Sequence, residues 1–388
     1  MTENNLCNDK QKGEILTLYE TLFCLFIIFA PITNAINEFT FMGFTVTTIL
    51  LFLIIAFWVL CFVMQKVKIR NYVLLVLLFF GIELLRIYIR AKGIQIVFIS
   101  LIMLYVAALS LPNGFSKTKI CASFYISAII SAIFTLIYGY SGSGISRSAT
   151  YVDGSISLFV IAIFLFAKEY YDCGVIYKVI RYVAFASCFI ITMFGMSRSR
   201  LLLLALMFLI VIINEIRKFF MNGVVKVYIF FLIPLVIILI YIALSSDIVQ
   251  DLLSQLSTRF DDGFESTGRD AENEVALKMF NRSKFFGMGW GEINFVNYDR
   301  STVPFHNHSM YLAILARGGL FMAFAFLMSL GSLIIDVIKS KKVFCMVCLG
   351  LLLLWGYGNA GIFNYTICSS LILLTVFLRG DEVERKEE

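Results

Sequence analysis

Leu201-Leu202-Leu203-Leu204-Ala205-Leu206-Met207-Phe208-Leu209-Ile210-Val211-Ile212-Ile213, entered directly from Ser197-Arg198-Ser199-Arg200, is the stretch that decides the fold. Its apolar residues run without alternation, whereas a strand of a transmembrane barrel alternates between lipid and lumen at every residue. Val227 to Leu244 is a second run without a charge. Over all 388 residues, 60% are hydrophobic and 15% charged, with a mean hydropathy of +0.89. An ordinary soluble domain carries about 25% charged residues. At about 20 apolar residues per span, this composition supplies roughly 11 or 12 transmembrane helices. A soluble enzyme and a single-span receptor are excluded, and with only 25 Gly and 4 Pro so is a low-complexity scaffold.

The apolar runs predict helices near residues 16–36, 41–64, 72–90, 93–111, 120–140, 155–171, 182–197, 201–216, 227–246, 319–338, 343–358 and 361–378. The first run lacks a small-residue cleavage site and reads as a retained helix. Lysines recur in alternate connections: Lys66 and Lys68, Lys117 and Lys119, Lys168 and Lys178, Lys218 and Lys226, then Lys339, Lys341 and Lys342. Positive residues favour the cytoplasmic side, so these turns and both termini are expected there. The expected fold class is an all-α polytopic membrane protein of about 12 transmembrane helices with one large external loop. Three parts follow: residues 1–245 with nine spans, the loop at 246–308, and residues 309–388 with three spans and a cytoplasmic tail.

Within the loop, Ile248, Leu252, Leu253, Leu256 and Phe260 fall at helical spacing and suit an interfacial amphipathic helix ending at Asp261-Asp262-Gly263. A second helix is expected from Asp270 to Phe280, ended by the glycines of Phe285-Phe286-Gly287-Met288-Gly289-Trp290-Gly291. Asp381 to Glu388 reads as a disordered tail. None of the nine cysteines falls in the loop, which excludes a disulfide-stapled outer domain. Cys345 and Cys348 have metal-ligand spacing but no second pair or nearby histidine, so they read as buried thiols and no metal is expected.

Measured against this topology, 14 of 17 lysines are cytoplasmic, but 10 of 15 arginines lie outside or at the outer ends of spans: Arg86, Arg90, Arg147, Arg198, Arg200, Arg259, Arg269, Arg282, Arg300 and Arg317. Charges that oppose the topological signal at a membrane boundary cost free energy unless paired or facing water, which makes a functional reading the default. The guanidinium fork grips phosphate oxygens in two places, so the expected ligand is an outward-facing phosphate or diphosphate. Arg86 and Arg90 share a helical face, with Glu83 as a partner for Arg86. Arg198 and Arg200 cap the boundary between two spans. Snorkelling to lipid headgroups, or pairing with the loop's Asp and Glu residues, is the alternative for any one of them.

The chain holds two histidines, both in Pro304-Phe305-His306-Asn307-His308-Ser309, where the loop re-enters the membrane. Histidine titrates near neutral pH and accepts a proton from a hydroxyl, so beside phosphate-binding arginines it points to group transfer to an alcohol. A metal site and a structural histidine pair are the alternatives.

The order Ser197-Arg198-Ser199-Arg200, Thr267-Gly268-Arg269, Phe285 to Gly291, His308-Ser309-Met310-Tyr311-Leu312 and Gly318-Gly319-Leu320 resembles the O-antigen ligase and polymerase superfamily. The resemblance covers the second half of the chain well and the first half in outline. It implies a GT-C-like fold, in a bacterial inner (plasma) membrane, that joins undecaprenyl-diphosphate-linked sugars on the outer face without metal, cofactor or nucleotide sugar. Donor and acceptor are then lipid-linked oligosaccharides, with membrane lipids and a chain-length regulator as further partners and no nucleic acid. His308 keeps the family's spacing to Leu312 and His306 does not, although Ser309 stands where the family usually has Asn. The implied catalytic set is His308 or His306 with Arg198. The diphosphate set is Arg198, Arg200 and Arg269, with Arg282, Arg86 and Arg90 secondary. Trp290 and Tyr298 are placed to stack on a sugar or to pack. Polymerase is favoured over ligase because the Phe-rich spans resemble the capsule and O-antigen polymerases. A transporter or flippase should show an internal repeat or Gly/Pro-broken midplane helices and charges inside several spans, whereas this chain has four prolines, no visible repeat and its unusual charges at one face.

Overall fold

The computed structural model describes residues 3–36, 40–41, 44–64, 67, 69, 71–89, 96–112, 114–141, 144–145, 151–167, 174–195, 198–222, 269–289, 294–296, 302–304, 309–358 and 365–387. The helices among them are α1 (Glu3–Phe29), α2 (Val46–Val63), α3 (Asn71–Ile89), α4 (Ile96–Leu109), α5 (Lys117–Gly139), α6 (Ile156–Phe166), α7 (Val175–Gly195), α8 (Arg198–Asn222), α9 (Arg269–Arg282), α10 (Met310–Ser340), α11 (Val343–Gly358) and α12 (Tyr365–Glu387). Among the described residues, five stretches are long and apolar enough to cross a membrane: Glu14–Ile32, Val46–Val63, Lys117–Tyr138, Val175–Phe194 and Met310–Ser340. Val73–Ile82, Ile156–Phe166, Arg200–Val211, Val343–Gly356 and Cys368–Arg379 are shorter apolar helices. The chain is thus a polytopic helical membrane protein in build. The expected helices at 227–246 and 248–260 lie outside the described residues.

The build is nearly all helical, with short antiparallel hairpins besides: β1 (Thr40–Phe41) with β2 (Phe44–Thr45), β3 (Tyr140–Ser141) with β4 (Gly144–Ile145), and β5 (Asn294–Val296) with β6 (Thr302–Pro304). Thr, Val, Phe and Tyr dominate these pieces and suit a pleated backbone. The tail is not disordered, because α12 runs on through Glu387. Its Glu, Arg and Lys are good helix formers, and a helix nucleated in the apolar segment propagates into them. The first, seventh and tenth helices begin earlier than expected, at Glu3, Val175 and Met310.

Side-chain pairing fixes how the helices run. α1 and α5 are parallel, because Glu20 meets Lys119, Ile27 O accepts from Ser127 Oγ at 2.9 Å, and Ala35 O accepts from Tyr138 Oη at 3.2 Å. α2 runs back against α1, with Thr33 and Thr47 hydroxyls 2.8 Å apart and Tyr19 stacked near Phe57. α7 runs back along α6, from Arg181 bonded to Phe164 O at one end to Thr192 bonded to Ser157 at the other. Ser123, Ser127, Ser131 and Thr135 recur every fourth residue of α5 and are buried. Small residues of this kind let membrane helices approach closely where no hydrophobic force separates lipid from helix.

These pairings sort the bundle into two ends. One holds Lys117, Lys119, Lys178, Arg181, Lys339, Lys341, Lys342 and Arg379, with the starts of α5 and α7 and the finishes of α4, α10 and α12. At the other, Thr45 caps α2 by accepting from Thr48 N at 3.3 Å, Asp153 N donates to Pro31 O at 2.7 Å, and the starts of α6, α10 and α12 gather. Arg200 belongs to this second end.

Candidate functional site

α10 is interrupted at Gly319, whose φ of 64° and ψ of −164° are not helical. A break frees peptide groups from their helical partners, and in a membrane protein an unpaired buried peptide group costs several kcal/mol. Here the segment after α9 supplies the partners. Met288 N donates to Ala316 O at 3.0 Å and Gly289 N to Arg317 O at 2.8 Å. In return, Leu320 N donates to Lys284 O at 2.8 Å and Phe321 N to Phe285 O at 3.2 Å. The two backbones touch where neither has a side chain. A Cβ on Gly287 would lie 2.2 Å from Arg317 O, and one on Gly319 would lie 2.4 Å from Gly287 N. Both glycines have positive φ, which L side chains rarely adopt. The structure therefore joins two of the motif segments quoted from the sequence, Phe285 to Gly289 and Gly318-Gly319-Leu320, into one clamp.

The half of α10 ahead of the break is held from other sides too. Ala316 packs with Ala276 and Met279 of α9, and Val275, Met288 and Leu312 close around them. Tyr311 Oη donates to Leu353 O at 3.0 Å, and Met310 lies against Gly356, where a Cβ would come within 2.7 Å of its Cε. Arg317, one of the outer arginines of the sequence, is the bulkiest fully buried side chain among the described residues, at 1% exposure. An ionisable group buried in a membrane helix is expensive and is a functional candidate by default.

Arg200 lies in the first turn of α8, which opens Arg198-Ser199-Arg200, so two cations share a turn with the positively polarised helix N-terminus. Its side chain is 5% exposed. The guanidinium occupies the space left by Gly154, where a Cβ would lie 1.4 Å from Nη1 and 2.5 Å from Cζ. The turn that presents Gly154 is firmly held. Asp153 Oδ1 accepts from Ser155 N at 3.0 Å and Ser155 Oγ at 2.6 Å, and Ser157 Oγ donates to Gly154 O at 2.8 Å. Sequence reading missed this seat. Its signal is Asp153-Gly154-Ser155 directly ahead of the apolar run Ile156 to Phe166, a polar turn at a span boundary.

Arg282 is exposed in the last turn of α9, two residues before the clamp begins at Lys284. On the same helix, Lys278 Nζ lies 2.6 Å from Glu274 Oε1 and holds that carboxyl below its ordinary pKa. Arg198 and Arg269 are the first residues of α8 and α9, and Arg86 lies in α3; their side chains, like that of Glu83, fall outside the described residues. Arg90, Trp290, Tyr298, His306 and His308 also lie outside them. Cys345 and Cys348 are buried cysteines of α11.

No curated protein matches the chain. A family model described as O-antigen ligase matches residues 183–327, from within α7 through Arg200, α9 and the clamp into the second half of α10, so this part of the chain is similar to that family.

Proposed function

We propose that this chain is a glycosyltransferase of the bacterial inner (plasma) membrane that moves undecaprenyl-diphosphate-linked glycan onto a lipid-linked repeat, building a polysaccharide of O-antigen or capsule type. The observation that carries the reading is the span of the family match, which contains Arg198 and Arg200, the clamp and the histidine segment together. The lysine-rich end of the bundle is the cytoplasmic one by the positive-inside rule, so the end with Arg200 faces outward.

In the reaction, the acceptor hydroxyl oxygen bonds to the anomeric carbon while the bond from that carbon to the diphosphate oxygen breaks. His308, or His306, takes the hydroxyl proton. Arg198, Arg200 and Arg269, with Arg282, Arg86 and Arg90 as further contacts, stabilise the departing diphosphate by charge already in place. Trp290 and Tyr298 offer faces for a sugar. Charge stabilisation by arginine needs no metal, so transfer should survive EDTA; loss in EDTA with recovery on adding Mg2+ would contradict this scheme.

A second reading, ligation of finished polymer to a different acceptor such as lipid A core, is favoured by the family description itself. Glycan gels from cells lacking the protein separate the two. Single-repeat glycan on the final acceptor means polymerase, and long polymer stranded on the lipid carrier means ligase. An unchanged glycan pattern would overturn both.

A further inference from the structure

The clamp does more than satisfy a broken helix. Gly287 and Gly319 bring two backbones into contact, and the four peptide hydrogen bonds on either side tie Lys284 to Gly289 onto α10. α9 is fastened to the same half of α10 through Ala276, Met279 and Ala316. Arg282 sits between these two attachments, in the last turn of α9 and two residues short of Lys284. Its Cα therefore has no freedom to move relative to α10 while both hold. Ring contacts add a third fastening, with Phe321 against Phe285 at 6.2 Å and Phe286 at 5.0 Å, and against Phe79 of α3 at 5.6 Å.

We propose that Gly287 and Gly319 are positioning residues of the transferase: the clamp they permit stays closed through the reaction and sets Arg282 at a fixed place on the outer end of the bundle. The segment from α9 to the clamp is then a fixed strut and not a lid. This rests on the reading of Arg282 as a contact for the substrate diphosphate.

The test is a double-mutant cycle in membranes, scored by transfer from a purified lipid-diphosphate-linked repeat at matched amounts of inserted protein. Gly287→Ala, whose Cβ meets backbone that cannot swing aside, should weaken transfer about 10- to 100-fold, the scale of a misplacement of about 1 Å, and should raise KM for the lipid substrate. Arg282→Ala should raise the same KM. Combined, the two should cost no more than Gly287→Ala alone, because a displaced arginine is already lost; additive losses would overturn the proposal. Where Gly287→Ala does not insert, the pair Phe285→Cys and Phe321→Cys carries the test, since Phe321 N lies 3.2 Å from Phe285 O. Cross-linked by oxidation, this variant should keep its transfer rate. A loss on oxidation that reduction restores would mean the segment has to leave α10, and would also overturn the proposal. If Arg282→Ala and Arg200→Ala both leave transfer unchanged while the cross-linked pair stays active, the diphosphate reading fails and the positioning claim goes with it. If both arginine variants are impaired and Gly287→Ala is not, only the positioning claim fails.

Discussion

At the end of the bundle that carries most of its described lysines, cations close the helices: Lys342 Nζ donates to Phe377 O at 2.9 Å, Arg379 Nη2 to Leu109 O at 3.1 Å, Arg181 Nη2 to Phe164 O at 2.8 Å, and Lys119 meets the buried Glu20 at 2.7 Å. At the opposite end the peptide groups freed at Gly319 are closed by other peptide groups, and the guanidinium of Arg200 lies in a space made by Gly154. The two ends carry the same sign of charge with different duties. Helix carbonyls at the first end engage these cations, and two of them, Leu109 O and Phe164 O, lie in the last turns of α4 and α6, where a helix favours positive charge. At the second end four peptide groups around the break are met by other peptide groups.

Breaking the second end should have the largest effect on activity. His308→Ala should abolish polymer formation while the protein still inserts, because a positioned proton acceptor is worth about 100- to 10,000-fold in rate. Unchanged polymer length would remove His308 from the mechanism and leave His306 to be tested. Gly154→Ala sharpens the comparison, since the nearest atoms in its way are the far end of the Arg200 side chain. It should shift the guanidinium and lower transfer about tenfold or more, with thermal unfolding in detergent unchanged. A fall in stability with normal transfer would make the seat a packing feature.

The first end should answer in stability. Lys119→Met strips the partner from a carboxylate that is 4% exposed, and breaking such a pair costs about 3–5 kcal/mol when both groups are buried and less here, where the lysine is half-exposed. Thermal unfolding should move down and transfer per folded molecule should not. The smallest effect is expected from Lys278→Ala, which breaks an exposed pair on α9. No measurable change in unfolding or transfer should follow, and a clear loss of transfer would instead bring α9's exposed face into the site.

Much of the frame was legible in the chain because membrane helices advertise themselves by composition. The apolar runs located α2 to α8 and α10 to α12, and Asp270 to Phe280 located α9, which runs Arg269–Arg282. The start of the tenth helix was read at 319, where the structure has its break, because Gly318-Gly319 ends one helical stretch and the apolar residues after it begin another. What could not be read is the partner of that break. A glycine announces that positive φ is tolerated, but only tertiary contact decides that Gly287 meets Gly319 across 32 residues of sequence. The Arg200 seat was hidden for the same reason, since nothing in Asp153-Gly154-Ser155 says which side chain fills the space above the glycine. Residue chemistry marked the arginines as unusual, and packing separates Arg200 and Arg317, which are buried, from Arg282, which is exposed.

The most direct test of the account is transfer from a purified lipid-diphosphate-linked repeat in proteoliposomes, comparing Arg200→Ala at one end of the bundle with Lys342→Ala at the other. Arg200→Ala should lose transfer at normal levels of inserted protein, whereas Lys342→Ala should retain it per folded molecule. Equal losses in the two variants, or full activity without Arg200, would contradict the account.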